Sequence, residues 1–285
     1  MVDKDSQLSL GKQCELLGIH KSSLYYKPRG ESMMNMHLMN IIDAQFTATP
    51  FYGVPRMTDH INRHYDYHIN QKRVERLYKI MDLRAVGPNP YSNTSKSDKT
   101  AYKFPYLLRG LKITRPNQVQ AADISYIGMR RGYMYLFAII DLYSRFIINW
   151  GLSNTMTAEW CTAIIDEGFR KYGKPEIFNT DQGSQFTSDI YVTFLQNAAV
   201  QISMDGKGRA IDNIFIERFW RSIKQECVYL YPSNGGKQLY DEIEEYMRYY
   251  NYERPHQSLD YQITGEVFHG EKIKYNKTKY LTTLV

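Results

Sequence analysis

The chain has 285 residues, 43% of them hydrophobic, which is enough for one large domain or two ordinary ones and excludes wholesale disorder. Its net charge of +6 is unevenly placed: residues 1–110 hold 16 Lys+Arg against 10 Asp+Glu, and residues 111–285 hold 20 of each. A basic front on a balanced body points to a polyanion-binding module joined to something else; the plainer reading is a merely basic surface. With no run of 18 apolar residues and no signal-peptide pattern, a soluble cytoplasmic protein without a membrane partner is expected. Cys14, Cys161 and Cys227 are odd in number and widely spaced, which fits neither a disulfide framework nor a zinc site.

Residues 1–34 contain a short helix-turn-helix-like unit. Cys14, Leu16, Leu17 and Ile19 are its apolar positions, Gly18 breaks the run, and Ser22-Ser23 begin a second short helix. An ordinary helical hairpin fits the same residues. Residues 35–86 read as a compact helical module. Met36, Leu38, Met39, Ile41 and Ile42 give one helix, and Tyr52-Gly53-Val54-Pro55 form a turn. Met57 and Ile61 mark a second helix, closed by Tyr65-Asp66-Tyr67, and Asn70 is an N-cap for a third helix over 71–83. There Val74, Leu77, Tyr78 and Met81 can face a core. Lys72, Arg73, Arg76 and Lys79 take the remaining surface, where they suit a phosphate backbone or simply solvent. His60, His64 and His68 recur every four residues but are read as a surface row. The aromatic turn interrupts the helix, and no Cys or carboxylate completes a tetrahedral set.

Residues 87–105, rich in Pro, Gly, Ser, Asn and Lys, read as a linker. Beyond it the pattern turns to strands at 119–127, 133–142 and 145–152. A helix follows at 158–171, a strand at 177–179, a helix at 190–197 and a strand at 200–203, and the unit ends on a helix with Ile216, Phe219, Trp220 and Ile223 on one stripe. This βββαβαβα order over 106–232 predicts an α/β fold, a mixed sheet with flanking helices. Residues 233–285 add a tyrosine-rich helix at 237–252 and a Lys-rich tail, 271–285, that is expected to fray.

Three acids in this unit carry candidate chemistry. Asp123 lies mid-strand, Asp181 stands where a strand gives way to the turn Gln182-Gly183-Ser184, and Glu217 lies on the last helix, 35 residues (182–216) beyond Asp181. Any one alone reads as well as a cap or a surface carboxylate. Together they suit Mg²⁺ or Mn²⁺, which prefer oxygen ligands. Two such ions about 3.5–4 Å apart can clamp the attacking and leaving oxygens of a phosphodiester. Lys224, seven positions after Glu217, falls on the same helical face, and Arg221 lies one turn from Glu217. The loop 205–209, with Lys207 and Arg209, is basic and Gly-rich, as suits contact with a DNA backbone.

The segments YGKPEIFNTDQGSQFTS (172–188), ISMDGKGRAIDNIFIERFWRSIKQE (202–226) and YYNYERPHQSL (249–259) carry a resemblance that extends over most of the chain. The sequence resembles the transposases of bacterial insertion sequences in the retroviral-integrase superfamily, of the second-frame (OrfB) type, and the 35-residue gap matches that family's Asp-Asp-35-Glu signature. The resemblance implies a ribonuclease-H-like core, with Asp123, Asp181 and Glu217 as a triad holding Mg²⁺ or Mn²⁺, two ions per site. It also implies a helical DNA-binding module around residues 35–84. The implied reaction is phosphoryl transfer without a covalent protein intermediate: water cuts the element's 3′ end, and the freed 3′-hydroxyl attacks another phosphodiester. The implied partners are double-stranded DNA (terminal inverted repeats and target), a second copy or more of the chain, and a first-frame helix-turn-helix protein, fused or separate. The place of work is the nucleoid.

Two departures stand out. Gln120 and Ala122 occupy positions where the family usually has Trp and Thr, and Tyr52-Gly53-Val54-Pro55-Arg56 replaces its common Tyr-Gly-Tyr-Arg-Arg turn. The YNYERPHQSL segment has two readings, support of the core and direct contact with DNA. Two other functions remain open: a catalytically idle regulator at element ends, and a ribonuclease-H-like nuclease that cuts without strand transfer.

Overall fold

The computed structural model describes residues 8–25, 30–65, 67–86, 104–205 and 214–272. Apart from residues 104–105 and 271–272, the expected linker and Lys-rich tail lie outside the described residues, as do Lys207 and Arg209. Contacts divide the chain after Asp43. In the first unit α1 (Leu10–Leu16) is capped by Ser9, whose Oγ accepts from the Lys12 N–H, and Gly18 leaves the helix at a φ of +64°. A 3₁₀ turn, Lys21–Tyr25, stands where the second short helix was expected. The division falls inside α2 (Met33–Ala48).

The second unit opens with α3 (Val54–His64) and α4 (Gln71–Ile80), which bury Met57, Ile61, Val74 and Leu77 completely. Pro55, in the first turn of α3, needs no N–H partner there. Asn62 bonds both the N–H (2.9 Å) and the C=O (3.2 Å) of Ile69, which closes the connection between the helices. Asn70 caps α4 as expected, accepting from the Lys72 N–H at 2.9 Å. His68 lies beyond the end of α3, so the three histidines do not share one helix.

The order β1 (Val119–Gly128), β2 (Tyr133–Asp141), β3 (Ile147–Ser153), α5 (Ala158–Tyr172), β4 (Ile177–Thr180), α6 (Asp189–Asn197), β5 (Gln201–Met204), α7 (Ile214–Ile223) is the βββαβαβα pattern. The sheet runs β3-β2-β1-β4-β5, antiparallel through the first three strands and parallel from β1 to β5. Alternation along the strands sends successive side chains to opposite faces. Ala122, Phe137, Phe178 and Ile202 meet Cys161, Ile165, Tyr191 and Leu195 of α5 and α6 in one buried core. The helix α5 sits close on β3, because a Cβ at Gly151 would stand 2.4 Å from Ile164 Cδ1. The other face receives α7 and α8 (Gly236–Tyr252), with Trp150 of β3 tilted against Tyr240 at 5.1 Å and Phe219 of α7 edge-on to Tyr250 at 5.0 Å.

Three features differ from expectation. The strand β3 begins at Ile147 rather than 145, because Arg145 occupies the left-handed region (φ +65°) in a tight turn. Asp141 holds that turn, its Oδ1 accepting from the Ser144 N–H (2.8 Å) and hydroxyl (2.7 Å). The helix α7 does not continue in α geometry to Lys224 but opens into a π-helical turn, Lys224–Val228. Past α8, two short strands, β6 (Pro255–His256) and β7 (Gln262–Ile263), pair antiparallel and lead into α9 (Thr264–His269). Its Phe268 stacks on Phe146 at 4.7 Å. Those two-residue strands and the six-residue helix are too short to leave a periodic signal.

Candidate active site

The parallel register between β1 and β4 pairs Val119 with Ile177, Gln120 with Phe178 and Ala121 with Asn179. Carried two residues further, it sets Asp123 beside Asp181, one residue past the end of β4. Neighbouring strands lie about 4.8 Å apart, so the two acids occupy adjacent rows at one edge of the sheet. Gln120 and Ala122 leave β1 on the face opposite Asp123. Ala122 enters the α5/α6 core, and the buried Gln120 amide donates to Asn117 at 2.8 Å. The departures from the family pattern therefore fall behind the acid rather than around it.

Asp181 is shaped by its turn. The Gly183 N–H donates to its Oδ1 at 2.9 Å, and a Cβ at Gly183 would stand 3.0 Å from that same oxygen. Below it Asn179 is fully buried, donating to Asp205 and accepting from Ser203, both at 2.8 Å. Gln182 reaches the Asp205 carbonyl at 2.8 Å. This net fixes the end of β4 where the second acid emerges.

Glu217 is exposed on α7, while Ile216, Phe219, Trp220 and Ile223 are buried on the opposite stripe, as the apolar spacing predicts. The Trp220 indole N–H donates to Asp123 Oδ2 at 2.8 Å. Trp220 lies one turn from Glu217, so this bond docks the Glu217 helix onto the strand of the first acid.

Burial pushes the Asp123 carboxyl up to about 7; the charge of Asp181 adds to the effect and Trp220 opposes it. Asp181 reaches solvent on one side, yet partial desolvation raises it too, against its bond from Gly183. The half-buried Lys224 ammonium is lowered by burial and held up by Asp123. Asp181, Glu217 and Lys224 each lie within electrostatic reach of Asp123. Among the described residues no three His, Cys, Asp or Glu side chains, these acids included, are grouped closely enough to hold a metal ion. Arg221 is exposed on α7. Lys72 and Arg76 are exposed and Arg73 half-buried on α4, a separate element.

A buried ionic cluster escaped the sequence reading. Glu226, in the π-helical turn, accepts from Arg254 Nε and Nη2, both at 2.7 Å, from Arg56 Nη1 at 3.0 Å and from the Tyr246 hydroxyl at 3.0 Å. Arg254 belongs to YNYERPHQSL, is 5% exposed, and supports the core. Arg56, of the variant turn, lies over the Tyr52 ring, and the Tyr52 and Tyr249 hydroxyls meet at 3.0 Å. Despite burial, the two arginines hold the Glu226 carboxyl down at about 2. The signal was an arginine inside a largely aromatic segment, since a buried guanidinium requires an acid.

A mixed sheet of three antiparallel strands followed by two parallel ones, with acids on adjacent strand rows and a third on a docked helix, defines a chain with an integrase-type core. Integrase core domain models match residues 113–210 and 198–263, and an HTH-like domain model matches residues 35–91. The transposase for insertion sequence element IS904 of Lactococcus lactis is 31% identical over 215 residues, covering 74% of this chain and 85% of that protein. Transposase InsF for insertion sequence IS3A of Escherichia coli is 29% identical over 234 residues, covering 79% and 81%. The chain belongs to the family of bacterial insertion-sequence transposases. Among solved structures, the HTLV-2 integrase catalytic core domain in complex with magnesium is 18% identical with a TM-score of 0.46, covering 54% of this chain and 98% of that one.

Proposed function

We propose that the chain cuts DNA at the ends of an insertion sequence and joins the freed 3′ ends to another phosphodiester. Asp123, Asp181 and Glu217 are its active-site acids. Residues 35–86 form the DNA-binding module, 87–105 the linker and 106–232 the catalytic core. The observation that carries this reading is the β1–β4 register, which runs to Ala121 and Asn179, two residues short of Asp123 and Asp181, with the Glu217 helix docked on Asp123 through Trp220.

The donor set fits a hard divalent cation. All three groups are carboxylates, and Asp123 is a buried acid raised further by the charge of its neighbour, a repulsion that a cation relieves. Bound by these acids, Mg²⁺ or Mn²⁺ supplies Lewis-acid stabilisation of the attacking and leaving oxygens. Trp220 fixes Asp123 through Oδ2, and the Gly183 N–H fixes Asp181 through Oδ1. Lys224, facing Asp123, is placed to bind a DNA phosphate beside the acids, and the exposed Arg221 extends that surface. Lys72, Arg73 and Arg76 on α4 hold duplex DNA, joined by Lys207 and Arg209, which precede α7 in the sequence.

Two ends must be processed together, so the working form is a dimer or larger assembly on DNA. A first-frame helix-turn-helix protein, fused or separate, adds end recognition. The test is Asp181→Asn on a labelled duplex. Loss of metal-dependent cleavage with DNA binding retained supports the reading, and cleavage that survives overturns the assignment of the acids. Binding without cleavage by the wild type, with the fused first-frame extension also inactive, identifies a regulator instead.

A further inference from the structure

A pocket of about 460 Å³ lies between the segment 104–113, the β2–β3 turn and the first turn of α7. Its lining is apolar and aromatic, including Tyr106, Leu111, Tyr143 and Phe215, with one charged residue, Arg145. Arg145 Nε and Nη1 are closed off from solvent without an acceptor, and no acid among the described residues forms an ion pair with it. The guanidinium instead lies 3.5 Å from the centre of the Phe215 ring. The nearest acid in the turn, Asp141, is already committed: Oδ1 to Ser144 and Tyr143, Oδ2 to the Asn117 N–H at 2.8 Å. Arg145 also holds a left-handed backbone (φ +65°), a conformation that strains a non-glycine residue.

A cation with no hydrogen-bonded anion, whose neighbour Asp141 is spent on other donors, in a strained turn and lining an apolar pocket, is arranged to receive a ligand that is anionic at one end and planar or apolar at the other. The volume is within the roughly 300–1,000 Å³ of ligand pockets. Phe215 is two residues before Glu217, so an occupant would abut the helix of the third acid. We propose that the pocket receives an unpaired nucleotide of the DNA substrate, its phosphate on Arg145 and its base among Tyr106, Tyr143 and Phe215. Base stacking on aromatic rings is tolerant of sequence, because every base has a π-face. The proposal rests on the DNA-processing reading above and adds to it a seat for a strand that has left the duplex beside the cut.

The test is calorimetric titration of the full chain, without divalent metal, with a thymidine dinucleotide bearing a 5′-phosphate. The wild type should bind. Arg145→Gln should weaken binding at least about tenfold, as expected for loss of a hydrogen-bonded charge. Leu111→Trp, which fills the pocket and leaves the cation in place, should weaken it as much and decides the matter if Arg145→Gln does not fold. Inorganic phosphate should bind at least about tenfold more weakly than the dinucleotide, because it lacks the stacked base. Absence of dinucleotide binding by the wild type, equal binding by Leu111→Trp, or equal affinity for phosphate overturns the proposal. Cleavage is measured in parallel: a protein that cuts DNA but does not bind the dinucleotide loses only the pocket, and one that binds it but never cuts loses the DNA-processing reading.

Discussion

The indole N–H of Trp220 donates to Oδ2 of Asp123 at 2.8 Å, tying the helix that carries Glu217 to the strand that carries the first acid. A hydrogen bond to a charged group contributes about 1.5–3 kcal/mol. Trp220→Phe keeps an aromatic ring in the buried stripe and removes the donor. Cleavage in single turnover should slow about 10–100-fold, with only a small fall in thermal midpoint. An unchanged rate would mean that the bond plays no part in placing Asp123.

The Glu226 cluster is a stability feature with an asymmetric response. Glu226→Gln leaves Arg254 buried without its counter-charge, and breaking a buried pair from one side costs about 3–5 kcal/mol. Arg56, whose side chain is 23% exposed, should matter less, and Arg56→Met should cost about 1 kcal/mol. Urea unfolding of the two variants checks the order. Equal losses would show that Glu226 is held by Arg56 as strongly as by Arg254.

Two groups near this cluster set the response to acid. Burial, reinforced by Arg254, Arg145 and Arg56, lowers the His256 imidazole from 6.5 to about 3. The unfolded chain then binds more protons than the folded one between those values, so stability is lost as pH falls from about 6.5. Glu226, lowered from 4.5 to about 2, adds a further loss below about pH 4.5. Asp123, raised from 3.8 to about 7, takes up its proton earlier in the folded chain and offsets the first loss, so the His256 contribution is read as the difference between wild type and His256→Gln. That difference in thermal midpoint should change as pH falls from 6.5 to 5, and a difference independent of pH there contradicts the burial of His256 as a neutral ring.

Gly183 is constrained by Asp181 rather than by its own backbone. A Cβ there would meet Asp181 Oδ1 at 3.0 Å and Gln185 Oε1 at 2.9 Å. Gly183→Ala should turn the carboxylate away and reduce cleavage about tenfold or more, with stability changed by less than about 1 kcal/mol. Normal cleavage by this variant would show that the rotamer of Asp181 is not critical.

The fold was legible where periodicity was strong. The stripe Ile216, Phe219, Trp220 and Ile223 gave α7, the alternation around Asp123 gave β1, and Asn70 marked the start of α4. The three acids can be proposed from their spacing and contexts, but the approach of Asp123 to the end of β4 depends on a register that no local pattern states. The contacts that hold the site were hidden for the same reason: Trp220 and Asp123 are 97 residues apart, and Arg56 and Glu226 are 170. Trp220 read as core, which it also is. The pairing of Glu226 with Arg254 carries no local signal, because burial of a charge becomes visible only when its partner is placed beside it. The left-handed turn at Arg145 was read as strand because Asp141, which holds it, was counted among the strand's residues.

The most direct measurement is cleavage and joining of a labelled duplex carrying the element's own ends, in Mg²⁺ or Mn²⁺, by the wild type and by Glu217→Gln. Metal-dependent 3′-end nicking and strand transfer by the wild type, abolished in Glu217→Gln while DNA binding persists, is the expected result. Nicking and joining at undiminished rate by Glu217→Gln would contradict the assignment of Asp123, Asp181 and Glu217 as one catalytic set.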